Sequence, residues 1–254
     1  MPRLSGKIAL VTGGASGLGA SAVTLMAREG ATVIIGDIEV EAGQQLVEVL
    51  THQGLQVEFL PLDVCEEADW DRVMTQIGER HSALHVLVNN AGIAPEGGMD
   101  MSFALWRKVM SINLDGCFLG TRAAIGTMRA TGSRGSIINI SSTMAMVGEA
   151  TTAAYSASKG GVRSLTKAAA MYCAGERLPI RVNSVHPGMC VTPLVENFFA
   201  AHPEQRAIHA AKYPIGDLGT PDDIAWAIVY LASDESRFML GAEMVVDGGY
   251  LAQG

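Results

Sequence analysis

Short runs of apolar, β-branched residues alternate along the chain with longer segments whose apolar positions recur at helical spacing. Lys7-Ile8-Ala9-Leu10-Val11 is one such run, and it leads into Thr12-Gly13-Gly14-Ala15-Ser16-Gly17-Leu18-Gly19, after which a helical pattern extends to about Gly30. Ala31 to Asp37 predicts a second strand and Glu39 to Gln53 a helix. Gln56 to Leu62 predicts a third strand running into Asp63-Val64, and Glu66 to Arg80 a helix with its acids early. The order is βαβαβ, which predicts a parallel sheet with right-handed crossovers.

The alternation continues. Leu84 to Val88 reads as a fourth strand closed by Asn89-Asn90-Ala91-Gly92, and Phe103 to Thr131 as one long helix with Asn113 in its middle. Asn is a poor helix former, so a local disturbance of the backbone ladder is expected there. Ser136 to Ser142 is the fifth strand, polar at its carboxyl end, and Thr152 to Glu176 the following helix. Pro179 to Val185 is the sixth strand, Pro221 to Leu231 a helix capped by Thr220, and Ala242 to Val246 the last strand before Asp247-Gly248-Gly249. Between His186-Pro187-Gly188 and that last helix lies a helical excursion, and residues 189–213 are read as a lid over the substrate. No repeat, linker or low-complexity stretch divides the 254 residues, so one domain is expected: a doubly wound parallel sheet of about seven strands with helices on both faces.

Composition narrows the class. Hydrophobic residues at 48% against 17% charged, with 29 glycines, suit a sheet covered on both faces and many close-packed turns, and disfavour disorder. The net charge of -8 is dispersed and no basic stripe exists, so nucleic-acid binding is disfavoured. No apolar run reaches the roughly 18 residues of a membrane span, and the first residues carry no signal-peptide core, so a cytoplasmic location is expected. Cys65, Cys117, Cys173 and Cys190 lie far apart without a CxxC pair, and the six histidines lack ligand spacing; no metal is expected, and His186 reads as a structural or loop residue.

Chemistry enters at the strand ends. The glycine turn after the first strand permits a backbone approach to a pyrophosphate at a helix N-terminus, although its spacing differs from GxGxxG. Asp37, 20 residues beyond Gly17, stands where a ribose-binding carboxylate belongs. It would repel a 2′-phosphate, and Ile38 supplies no cation, so NAD is expected rather than NADP. Asn90 to Gly92 suits a loop beside a cofactor or an ordinary turn. Tyr155 and Lys159 lie one helical turn apart on a shared face, an arrangement in which an ammonium can favour a phenolate. Small residues along that helix, from Ala153 to Ala170, imply close packing against another helix, in this chain or in a second subunit.

Taken together, Thr12-Gly13-(x)3-Gly17-x-Gly19, Asn89-Asn90-Ala91-Gly92, Ser142, Tyr155-(x)3-Lys159, Pro187-Gly188 and Asp247-Gly248-Gly249 resemble the short-chain dehydrogenase/reductase family over essentially the whole chain. The resemblance implies a Rossmann fold and a homotetramer, with Tyr155 as general acid/base and Ser142, not the neighbouring Ser141, holding the substrate oxygen. Lys159 would lower the Tyr155 pKa and hold the nicotinamide ribose, and Asn113 would support a water-linked proton path to it. For the cofactor it implies Gly13, Ser16, Gly17, Leu18 and Gly19 at the pyrophosphate and Asp37 and Ile38 at the adenosine ribose. Asp63 and Val64 would meet the adenine, Asn90, Ala91 and Gly92 a ribose, and Pro187, Gly188, Val191 and Thr192 the carboxamide. Within the family, Trp106-Arg107-Lys108 and the ending Val246 to Gln253 look like bacterial R-specific secondary-alcohol dehydrogenases, while Glu41 to Leu46 and Ala68-Asp69-Trp70 look more like hydroxysteroid dehydrogenases. The first likeness also hints at a metal near Gln253, which Gly254 argues against by extending the terminus.

Three stretches are expected to wall the pocket: Ile93 to Met99, Thr143 to Ala150 and Met189 to Ala200. None contains Lys or Arg. An uncharged apolar ketone or secondary alcohol is therefore the expected substrate, met by Met144, Met189, Leu194 and Phe198. A carrier-protein reductase is the nearest rival and would want NADPH and a basic docking face. A hydrolase is disfavoured, because no G-x-S-x-G elbow is present.

Overall fold

In the computed structural model, which describes residues 2–253 apart from the side chain of Leu194, seven parallel strands form one sheet in the order β3-β2-β1-β4-β5-β6-β7. The strands are β1 Ile8–Thr12, β2 Thr32–Asp37, β3 Val57–Pro61, β4 Val86–Asn89, β5 Gly135–Ile140, β6 Ile180–Pro187 and β7 Glu243–Val246. Between them run α1 Gly17–Arg28, α2 Val40–His52, α3 Glu67–His81, α4 Phe103–Met110, α5 Gly116–Thr131, α6 Ala153–Gly175, α7 Pro193–Ala201, α8 Pro203–Ala210 and α9 Pro221–Ala232. The expected doubly wound architecture is present.

Successive strand residues point to opposite faces, and the core divides accordingly. Ala9, Val11, Val33, Ile35, Val86 and Val88 pack on one face with α1 and α9. Leu10, Ile34, Leu87, Ile137 and Val182 pack on the other with α3, α5 and α6, around the buried Trp70. Burial on both faces is why the strands read as continuous apolar runs rather than alternating ones.

One expected element differs. Phe103 to Thr131 is not a single α-helix: a π-helical turn, Ser111–Asp115, separates α4 from α5 and has Asn113 at its centre. A π turn admits one extra residue per turn and breaks the regular ladder, the disturbance that a mid-helix Asn announces. The fifth strand also stops at Ile140, two residues short of its expected end, which leaves Ser141 and Ser142 beyond the sheet. α9 begins as expected: the Thr220 hydroxyl accepts from the Asp223 N–H, and the Asp223 carboxylate accepts from the Thr220 N–H.

Chain order reverses between β1 and β4, so the loops after these neighbouring strands diverge at the carboxyl edge and leave a crevice. Every sequence-predicted site residue except Asn113 follows a strand end at this edge or lies on α6 and α7 above it.

Candidate active site

The crevice is held open by contacts that allow no added atom. A Cβ at Gly13 would lie 2.9 Å from Ala91 Cα, and one at Gly19 would collide with the Gly13 carbonyl oxygen and Asn90 Nδ2. The Asn90 amide donates to the Thr12 and Gly13 carbonyls, both at 3.0 Å, and Thr12 Oγ1 accepts from the Asn90 and Ala91 N–H groups. The loop after β4 is thereby stitched to the glycine turn. At the N-terminus of α1, the exposed Ser16 makes no side-chain cap, so the positive end of the helix stays available to an anion. Leu18 turns back onto the core. The Thr192 side chain stands 3.5 Å from where a Cβ of Gly17 would be, closing the crevice from the α7 side.

At the end of β2 the buried Asp37 carboxylate accepts from the Ala15 N–H on one oxygen and the Glu39 N–H on the other, each at 3.0 Å. A carboxylate has about four acceptor positions, so two remain for ribose hydroxyls. Ile38 is 64% exposed and brings no charge. Asp63 closes a local turn by accepting from the Cys65 N–H at 2.9 Å. The Val64 side chain points into the core, and its carbonyl accepts from Trp70 Nε1 at 3.0 Å. Pro187 ends β6, the Gly188 N–H donates to the Val246 carbonyl at 2.9 Å, and the Val191 N–H to Gly219 at 2.8 Å. These residues fit a dinucleotide laid across the strand ends.

Beyond this cradle, α6 carries Tyr155 and Lys159 on one face. Ser142 stands close enough to the Tyr155 phenol to favour its ionised form. Ser142 Oγ accepts from the Met144 N–H at 3.1 Å, which leaves its own proton free to donate. The rejected neighbour, Ser141, is occupied elsewhere: its hydroxyl donates to the Lys159 carbonyl at 2.9 Å. Lys159 Nζ is buried, donates to the Ile140 carbonyl at 2.8 Å, and has its pKa pulled down to about 8 by burial. Its ammonium stands 5.7 Å from the Tyr155 ring centroid. Burial is the largest influence on the Tyr155 phenol and pushes it above its usual value, and the nearby Ser142 hydroxyl opposes that shift.

Asn113 is buried at the π turn. Its side chain accepts from the Ile93 N–H and donates to the Ile93 carbonyl, each at 2.9 Å, and donates to Ser158 Oγ at 3.1 Å. Ser158 in turn donates to the Tyr155 carbonyl at 2.8 Å. A Cβ at Gly92 would touch both Asn113 Oδ1 and Lys159 Nζ, at 3.3 and 3.4 Å. Asn113, Gly92 and Lys159 thus meet at one point beneath the crevice.

Other buried polar residues complete this floor. Asn89 donates to Asn139 Oδ1 at 2.8 Å, and Asn139 to Thr166 Oγ1 at 2.9 Å, which ties β4, β5 and α6 together through buried amides. His186 lies fully buried inside β6 rather than in a loop, with Nδ1 3.1 Å from the Ser142 carbonyl oxygen. Polarity inside an otherwise apolar strand marks their need for a buried partner.

The walls are less uniform. Ile93 to Met99 and Thr143 to Ala150 are joined at their far ends, where the Gly97 N–H donates to the Thr151 carbonyl at 2.8 Å. Met144 and Met189 are half-buried, but Met99 is 94% exposed and contributes no wall. On α7, Phe199 rather than Phe198 is the buried residue, at 4% against 44% exposed; it packs with Tyr213 and Leu218. Tyr213 was not anticipated: its hydroxyl accepts from the Met189 N–H at 2.8 Å and pins the segment that follows Gly188. The side chain of Leu194 lies outside the described residues. Among the described residues no group of three His, Cys, Asp or Glu side chains could hold a metal, and Gln253 donates to the Lys212 carbonyl at 2.8 Å.

A family model described as enoyl-(acyl carrier protein) reductase matches residues 13–251. The chain belongs to the short-chain dehydrogenase/reductase family. Within that family, an NADP-dependent (R)-specific alcohol dehydrogenase of Lentilactobacillus kefiri is 44% identical over 252 residues, covering 99% of each chain. A 3-alpha-(or 20-beta)-hydroxysteroid dehydrogenase of Mycobacterium bovis is 42% identical, covering 98% of this chain and 91% of its own. Among solved structures, that of gox2181 matches with a TM-score of 0.94 at 32% identity, covering 99% and 98% of the two chains. Membership makes this chain a short-chain dehydrogenase/reductase oxidoreductase that uses a nicotinamide cofactor.

Proposed function

We propose that this chain is an NAD-dependent enzyme that interconverts an uncharged, apolar secondary alcohol and its ketone. The observation that carries the proposal is the meeting of Tyr155, Ser142 and Lys159 at the open end of a dinucleotide cradle. When bound, the nicotinamide ring supplies or accepts the hydride. Tyr155 gives its phenolic proton to the carbonyl oxygen in reduction, or takes the alcohol proton in oxidation. Ser142, whose hydroxyl proton is uncommitted, donates to the same oxygen and favours the charge that develops there. Lys159, with Gly92 and Asn113 beside it, holds the ribose and returns the proton to Tyr155.

Preference for NAD rests on Asp37. A buried carboxylate facing the adenosine ribose, with no Lys or Arg on Ile38 or Glu39, opposes a 2′-phosphate. The Lentilactobacillus relative is NADP-dependent by name, so this residue pair is where a difference in cofactor would reside. Substrate neutrality rests on the three walls, which hold no Lys or Arg, and on Lys212, which is paired with Glu149 at 3.5 Å. A hydroxysteroid is the second reading, supported by the Mycobacterium relative. Residues 189–213, with α7 and α8, serve as the lid in this proposal. A homotetramer is supported by large apolar side chains left exposed: Phe118, Met171 and Tyr172 on α5 and α6, Trp226 on α9, Val245 on β7, and Phe238 between them. Among the described residues no helix is long and apolar enough to cross a membrane.

The test is a panel of aryl ketones, cyclic alcohols and steroids with NADH and NADPH. Tyr155→Phe should lower kcat by at least about 10³-fold while leaving NADH affinity within a few-fold; retained turnover would sink the assignment. Asp37→Ala combined with Ile38→Arg should move the NADH/NADPH ratio of kcat/KM toward NADPH by about 10²-fold or more, as expected when a charge repulsion becomes an attraction. An unchanged ratio would assign the choice to another group.

A further inference from the structure

His186 is fully buried, and neither of its ring nitrogens is idle. Nδ1 lies 3.1 Å from the Ser142 carbonyl oxygen and Nε2 lies 2.8 Å from Ser184 Oγ. A carbonyl oxygen has no proton to give, so Nδ1 must be the donor. The ring is neutral, since burial holds its pKa below the usual value, so Nε2 is an acceptor and Ser184 supplies the proton to it. Ser184 has a second acceptor in the Ala242 carbonyl, but at 3.4 Å it is the weaker partner. The charged groups facing the ring are Glu243 on β7 and Arg163 and Lys167 on α6. Arg163 and Lys167 are both paired with Glu243, at 2.9 and 2.7 Å.

Ser142 needs such a support. It stands two residues past the end of β5, beyond the last strand hydrogen bond, on a chain that turns at once into a short helical turn, Thr143–Ala145. Its amino side is held through Ser141, whose N–H donates to Val185 at 2.8 Å and whose hydroxyl donates to Lys159. Its carbonyl side is held by His186. We propose that His186 is a positioning residue: by donating from Nδ1 to the Ser142 carbonyl it fixes the peptide that aims the Ser142 hydroxyl at Tyr155 and at the substrate oxygen. The role rests on the reading of Ser142 and Tyr155 as the groups that handle that oxygen.

Three variants separate positioning from packing. His186→Asn keeps a donor close to the Nδ1 place, His186→Gln moves it toward the Nε2 place, and His186→Leu removes it. His186→Leu should lower kcat by about 10- to 100-fold, the cost of a misplaced reacting group, with the KM for NADH unchanged. The pKa governing the pH profile of kcat/KM should rise as well, because Ser142 would then favour the Tyr155 phenolate less, with Lys159 and Cys190 the other groups facing that phenol. His186→Asn should recover most of both effects and His186→Gln little. Equal behaviour of the Asn and Gln variants, or a Leu variant within twofold of the parent, would overturn the role. Nitrogen-15 NMR of the ring gives a readout independent of turnover: Nδ1 should carry the proton between pH 6 and 9, and the opposite tautomer would overturn the geometry. If Tyr155→Phe also retained turnover, the functional reading itself would fall, whereas failure of the His186 series beside an inactive Tyr155→Phe would remove the positioning role alone.

Discussion

Beneath the Tyr155 phenol, polar side chains are buried and paired in sequence: Asn89 to Asn139 to Thr166, Asn113 to Ser158, His186 to Ser142. Above it, α7 and α8 present mixed, half-exposed surfaces around a small apolar cluster of Phe199, Tyr213 and Leu218. Buried amides and hydroxyls have few alternatives to their partners, because an unpaired one costs about 1–3 kcal/mol. The floor therefore holds a single arrangement, which is what proton transfer over hydrogen-bond distances needs. The roof, built on that small cluster, can change shape or composition without disturbing the residues around Tyr155. Under the proposed function, the reaction would be fixed by the floor and the choice of alcohol left to the roof.

The strongest way to break that contrast is to add one atom to the floor. Gly19→Ala places a methyl group against the Gly13 carbonyl and the Asn90 amide, neither of which can move without opening the stitch between the two loops. Loss of measurable NADH binding is expected, with a stability cost of about 3 kcal/mol, the upper part of the range for overpacking. Gly126→Ala on α5 is the control, since nothing lies within 4 Å of the added carbon there; a gain of up to about 1 kcal/mol is expected from helix propensity. Fluorescence titration and chemical denaturation measure both, and a Gly19→Ala protein that binds NADH normally would show that the cradle is softer than its packing.

On the roof, neighbouring residues should behave oppositely. Phe199→Ala empties the centre of the small cluster and should cost about 3 kcal/mol. Phe198→Ala, at a half-exposed position tilted against His202, should cost less than about 1 kcal/mol and instead raise the KM for ketone if Phe198 meets the substrate. An unchanged KM would take Phe198 out of the pocket and leave Met144 and Met189 as its apolar wall.

The same division governs what could be read without coordinates. Strands buried on both faces and helices of regular period announce themselves, so β1 to β7 fell within one or two residues of expectation, and the strand-end residues Asp37, Asn90, Ser142 and Gly188 arrived at one edge. Asn113 betrayed itself as a poor helix former, although periodicity could not show that the ladder would yield as a π turn. Pairing is different, because it depends on a partner far along the chain. Asn89 looks like part of a turn and Asn139 like an oddity in a strand until β4 and β5 lie side by side, and His186 before a proline reads only as a structural or loop residue until β6 places it behind Ser142. On a helix as short as α7, a few apolar residues do not fix the phase, and the structure shows that Phe199 faces the small core cluster while Phe198 is left half-exposed.

Lys159 offers the finest test of the floor, because its charge is the least comfortable group there. Burial lowers its folded pKa to about 8 from 10.5, and the hydrogen bond to the Ile140 carbonyl does not offset the loss of solvent. Below pH 8 both folded and unfolded chains carry the proton, and the folded state bears the full cost of the buried charge. Between about pH 8 and 10.5 the unfolded chain binds more protons than the folded one, so stability attributable to this residue rises with pH across that window. Lys159→Met removes the titration. Its stability relative to the parent should be greatest at pH 7 and should decline by up to about 3 kcal/mol by pH 10.5, with Cys117, Cys190 and the tyrosines contributing equally to both proteins. A difference that stays constant between pH 7 and 10.5 would mean that water reaches Nζ from the crevice. The floor would then be wetter, and less rigid, than its hydrogen bonds imply.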